Sequence, residues 1–172
     1  MRNFLLILFL FASTLGYAQR KRCSFSYKSI KRPDSVYTQK LVAAIDTLPL
    51  KTNYRIEEIP DFILKTLDCW ISDDWTIANP GGPFYEADAI GPEPLPSRQL
   101  LYMGLNDEYM LIAYVKGGFM LNCPIMLFRF ENEKIDSVMY WISNTKEIKT
   151  KADVMSFLQR YPKKRPGKIP II

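Results

Sequence analysis

The sequence predicts an α+β fold: an antiparallel β-meander of about four strands packed with about three α-helices, in a single domain that follows a signal peptide. Three observations carry this. Between Arg98 and Ser143 the segments RQLLYMGL, EYMLIAYV, PIMLFRF and KIDSVMYWIS are rich in β-branched, aromatic and long apolar residues. They are separated by Asn106-Asp107, Gly117-Gly118 and Asn132-Glu133, residue types that suit tight reversals. Connections this short join antiparallel neighbours, because a parallel crossover needs about a dozen residues. Outside this block, three stretches repeat apolar residues at helical spacing.

The chain opens with a short cationic start, Met1-Arg2-Asn3. An apolar run from Phe4 to Tyr17 follows, with the small residues Gly16 and Ala18 at its end. This is the pattern of a secretory signal peptide over residues 1–18, and the run is shorter than the roughly 20 residues that span a bilayer. The alternative is an uncleaved anchor. Without residues 1–18 the chain has the length of one domain, long enough to bury a core without staples, and no transmembrane segment is expected in it. Residues 19–33 are basic, with Phe25 and Tyr27 as their aromatics, and read as an N-terminal tail or a short edge strand.

The globular domain is expected over residues 34–161. Asp34 or Ser35 suits a helix N-cap, and Tyr37, Leu41, Ala44, Ile45 and Leu48 share a helical face before Pro49 ends it. Lys51 to Glu58 reads as a connector or short strand. Pro60 suits the first turn of a second helix reaching about Ser72, with Phe62, Ile63, Thr66, Leu67 and Trp70 on one face. In the third strand Met126, Phe128 and Phe130 alternate with Ile125, Leu127 and Arg129. In the fourth, Val138, Tyr140 and Ile142 alternate with Met139 and Trp141. Both faces are partly apolar, so both need a cover. Pro124 has no N–H for a ladder, which marks an edge, a bulge or a wide hairpin arm. Thr150 and Asp153 resemble a capping box for a third helix bearing Val154, Phe157, Leu158 and Tyr161. Residues 162–172 form a basic, then apolar, C-terminal tail.

Lys plus Arg number 23 against 18 Asp plus Glu, a net charge of +5. Every acid lies between Asp34 and Asp153, and bases collect at the two ends. Such ends either solvate against an acidic body or contact an anionic envelope surface. Nucleic acid is not an expected partner, because the basic ends lack the interleaved aromatics that stack on bases. With 3 cysteines in an oxidising compartment, one disulfide plus one leftover thiol is an option. If a pair forms, Cys69–Cys123 is the expected one, since both sit in elements that pack together. The alternative is that both are buried free thiols.

The chain contains no histidine, which removes Ser-His-Asp and Cys-His catalysis, histidine-bearing zinc sites and the commonest general base near neutral pH. No cofactor or metal motif is present. The stretch from Asp73 to Ser97 is longer than ordinary connections of up to about 12–15 residues, and such stretches are often functional. Its acids and aromatics, with their neighbours, supply the binding candidates Asp73, Asp74, Trp75, Asn79, Tyr85, Glu86, Asp88 and Arg98. Equally, Trp75, Phe84 and Tyr85 could anchor the segment to the core. The expectation is an exported protein of the bacterial type, in the periplasm or outside the cell. It would be a non-enzymatic domain that binds a protein partner or an envelope glycan through this segment and the neighbouring sheet edge. The alternative is a carboxylate-based, glycosidase-like hydrolase acting on polysaccharide, with Asp73, Asp74, Glu86 or Asp88 as acid and base.

Overall fold

A computed structural model of the chain describes residues 23–70, 75–87, 94–118 and 122–161. The expected signal peptide (1–18), residues 19–22 and the C-terminal tail (162–172) lie outside the described residues. The order of elements is α1 (Ser35–Thr47), β1 (Lys51–Asn53), α2 (Asp61–Trp70), β2 (Arg98–Leu105), β3 (Tyr109–Lys116), β4 (Cys123–Glu131), β5 (Lys134–Ser143) and α3 (Lys151–Gln159). The fold is α+β, as expected, with one strand more than the meander of four. The extra strand, β1, is too short to show an alternating pattern. It pairs with β2 and completes an antiparallel sheet in the order β1-β2-β3-β4-β5.

Cross-strand register explains the two faces. On one, Met126 stands between Ile112 and Tyr140, and Phe128 between Met110 and Val138. On the other, Arg129 stands between Tyr109 and Ser137, and Leu127 between Leu111 and Met139. Two register shifts keep the faces apolar where strict alternation fails. One at Leu100/Tyr102 puts Leu100 and Met103 into the same core, and one opposite Arg129/Phe130 brings Ile135 in beside Val138. The ladder between β3 and β4 ends at Ala113–Ile125, so Pro124 sits where no N–H is required of it.

The first face is covered by Ile59, by Ile63 and Leu67 of α2, and by Trp75 and Ile77. The N-terminal segment, read from the sequence as a tail or a short edge strand, joins them. A Cys23–Cys69 disulfide holds that segment to α2, with Cα atoms 5.6 Å apart. The Trp70 indole N–H donates to the Phe25 carbonyl at 2.8 Å, and its ring stacks on Phe128 at 6.2 Å. Lys31 then bridges the outer edge of β5, donating to Val138 O at 2.8 Å and accepting from Tyr140 N at 2.9 Å. The expected Cys69–Cys123 pair is therefore corrected. Cys123 shares the parity of Ile125 and Leu127 on the second face, on the far side of the sheet from α2. It is a buried free thiol whose pKa burial pushes up to about 11. Closing the 46-residue separation between Cys23 and Cys69 stabilises by roughly 4 kcal/mol in the chain-entropy account.

The second face is covered by α1 and α3. Trp141, wholly buried beneath α1, donates its indole N–H to Thr38 Oγ1 at 3.1 Å. Asp34 caps α1 by accepting from Tyr37 N at 2.8 Å. Thr150 and Asp153 form the capping box of α3. The Asp153 carboxyl lies below its ordinary pKa, chiefly through the N–H of Lys149 and then the Thr150 hydroxyl. Its contribution to stability is thus complete above the unfolded carboxyl pKa and is lost as pH falls through the lowered folded value. Lys151 Nζ donates to the carbonyls of Asp46 and Leu48, at 2.6 and 2.8 Å, tying α3 to the cation-favouring end of α1.

The two-residue turn between β4 and β5 has Asn132 at φ 48° and Glu133 at φ 60°. Left-handed backbone suits Asn and Gly, and Glu133 carries its Cβ there at a steric cost. Replacing it, Glu133→Gly, is expected to raise stability by about 0.5–1 kcal/mol. This would be read as a higher urea midpoint at unchanged slope, and a lowered midpoint would show that the Glu133 side chain makes a stabilising contact.

Candidate binding site

Of the eight binding candidates, Asp73, Asp74 and Asp88 lie outside the described residues. Trp75 and Arg98 are brought together, but inside the protein. Trp75 packs edge-on to Tyr114 with ring centroids 5.9 Å apart, and the Arg98 guanidinium lies 5.9 Å from the Trp75 centroid. Arg98 opens β2 and is only 4% exposed. Burial raises the Tyr114 pKa, with the neighbouring Tyr140 adding and Arg98 opposing. Lys116, the Cα partner of Arg98, has its pKa lowered by burial and then by the Arg98 charge. This cluster joins β2, β3 and the segment before β2 from within.

The remaining candidates hold the long segment in shape. Asn79 Oδ1 accepts from Ile56 N at 2.8 Å, fixing the turn after β1. Ala78 donates to Arg98 O and accepts from Leu100 N, both at 2.9 Å, covering the outer edge of β2 beyond the end of β1. Tyr85 N donates to Pro96 O at 2.8 Å, Gly117 N to Ser97 O at 3.0 Å and Gly118 N to Glu86 O at 3.3 Å. Three strands of chain thus meet at Gly117, where a side chain would strike the Tyr85 carbonyl. Glu86 is exposed and pairs with Lys146 at 3.7 Å.

These contacts leave a hollow of about 540 Å³ beside the segment, walled by Tyr54, Pro80, Gln99, Leu101, Lys146 and Lys149. Tyr54 follows β1 directly and is 47% exposed. Its hydroxyl donates to the Lys149 carbonyl at 3.1 Å, which anchors the ring while leaving it accessible. The Gln99 amide is oriented by its N–H donation to Gly82 O at 2.6 Å. The hollow therefore presents an aromatic ring, an amide and two ammonium groups, of which Lys146 already pairs with Glu86, and Glu147 adds a carboxylate at its wall. Such a set can hold a polar ring and a negative charge. Sequence reasoning placed Pro80 in the segment of interest but missed Tyr54, Lys146 and Lys149. The signal for Tyr54 was a lone aromatic in the otherwise polar run Lys51–Arg55.

Among the described residues no group of three or more His, Cys, Asp or Glu side chains is placed to hold a metal ion, and no helix is long and apolar enough to cross a membrane. Comparison with protein families, with curated proteins and with solved structures finds no match.

Because the Gly117 contact is with backbone, it cannot be relieved by a rotamer change. Gly117→Ala is expected to cost about 1–3 kcal/mol, measured by chemical denaturation. An unchanged midpoint would show that the three-way junction with Tyr85 and Ser97 is not closed in solution.

Proposed function

We propose that this chain is an exported, non-enzymatic binding domain of the cell envelope, and that it takes an acidic glycan in the hollow beside Tyr54. The observation that carries the reading is the Tyr54 ring, pinned by its hydroxyl yet nearly half exposed, with Gln99, Lys146 and Lys149 around it. A fixed aromatic face suits the apolar side of a sugar ring, an oriented amide suits its hydroxyls, and lysines suit a uronate carboxylate. The hollow touches the segment before β2 only at Pro80 and Gly81, and among the described residues none of the binding candidates read from the sequence lines it. Export is supported by the signal-peptide pattern over residues 1–18 and by the Cys23–Cys69 disulfide, a bond that persists in oxidising compartments.

Since Tyr54 is exposed, its role in binding separates from any role in folding. Isothermal titration of the mature chain with oligogalacturonate is expected to show binding that Tyr54→Ala weakens about tenfold, a loss of about 1.4 kcal/mol, with thermal stability little changed. Lys149→Gln should weaken the acidic sugar and leave a neutral oligosaccharide unaffected. Wild-type affinity in the Tyr54→Ala variant, or no binding of either sugar by the wild type, would overturn the proposal.

A further inference from the structure

A separate groove lies between α1 and the sheet face it covers. The apolar stripe of α1 is wider than the sheet beneath it can use. Thr38, Val42 and Ile45 are buried, but Tyr37 and Ala44 are exposed and Leu41 and Leu48 only half-buried. Those four residues form one wall of a groove of about 310 Å³. Its floor is made by the cross-strand row Tyr109–Arg129–Ser137, which is polar, and by Leu127 and Met139 of the next row, which are apolar. The groove thus has an apolar side between Leu41, Leu127 and Met139 and a polar end at Arg129.

Charge fixes the polarity of the occupant. Lys31 and Arg129 line the groove, and among the described residues no Asp or Glu does. Lys31 is held beside Met139 by its backbone bridge to β5, which fixes the base of its side chain at the groove rim. Arg129 has Asp136 at 4.0 Å, with both side chains exposed. A pair that long and that wet contributes little and leaves the guanidinium able to take a better acceptor. The volume falls at the small end of ligand sites, about 300–1,000 Å³. We infer that the groove between α1 and the Tyr109–Arg129–Ser137 row binds a single-chain anionic amphiphile, its chain between α1 and Leu127–Met139 and its head group against Arg129 and Lys31.

The test uses the mature chain with three probes of equal chain length, kept below their micelle concentrations: sodium decanoate, decanol and decyltrimethylammonium. Calorimetry is expected to show decanoate binding one to one, more tightly than decanol, with the cation weakest. The double variant Lys31→Gln/Arg129→Gln should weaken decanoate about tenfold or more without weakening decanol. Ala44→Trp, at an exposed helix position on the groove wall, should block both while α1 remains folded by circular dichroism. Tyr54→Ala should leave decanoate binding intact, which separates this groove from the glycan hollow. Equal binding of the cation and the anion, decanoate affinity unchanged in the double variant, undiminished binding to Ala44→Trp, or no decanoate binding would each overturn the inference.

Discussion

A sheet that is apolar on both sides cannot face water on either, and that constraint orders the rest of this molecule. Met126, Phe128 and Tyr140 are buried on one face, Ile125, Leu127 and Trp141 on the other. With so little polar surface on the sheet, each face must be roofed by chain from outside the meander. One roof is α1 with α3, and the other is α2 with the N-terminal segment and the residues around Trp75. Each has a specific fastening. On the α1 and α3 side the buried Trp141 N–H needs an acceptor, and Thr38 supplies it from α1. On the α2 side, the disulfide and the Trp70–Phe25 bond hold the N-terminal segment down over Phe128.

The roofing also manages the edges. Lys31 bridges the outer side of β5 and Ala78 the part of β2 that extends past β1. Each substitutes a single bridging residue for a neighbouring strand and so blunts a surface on which a foreign strand would otherwise pair. What remains available for binding is therefore side-chain surface in the gaps between roof and sheet. The Tyr54 hollow at the sheet edge and the groove under α1 are two such gaps, and each combines an apolar or aromatic wall with cationic groups.

Much of the fold was legible because local pattern and tertiary burial agree. The period-two alternation of β4 and β5, the turn residues and the capping signals at Asp34 and Thr150 all describe contacts within a few residues. What the sequence hid depends on which side of the sheet an element lands. Cys69 and Cys123 both belong to the packed body, yet nothing local shows that α2 and the parity of Cys123 point to opposite faces. The stripe of α1 was readable as apolar, but its division between the buried Val42 and Ile45 and the accessible Tyr37 and Ala44 depends on the width of the sheet below. At the site the same limit acts in reverse. Trp75 and Arg98 look like surface recognition residues in a Pro/Gly-rich segment, and a cation–π contact lets the charge be buried beside the indole instead. Tyr54 had no periodicity to mark it, since its role comes from meeting Lys149 across the sheet edge.

Cysteine connectivity reads the two-sided roofing most directly, because Cys69 belongs to one roof and Cys123 faces the other. Peptide mapping of the non-reduced protein, with alkylation before and after unfolding, should find Cys23 joined to Cys69 and Cys123 alkylated only once the chain is unfolded. A Cys69–Cys123 linkage, or rapid alkylation of Cys123 in the native protein, would contradict the placement of α2 and the N-terminal segment on the face opposite α1 and α3.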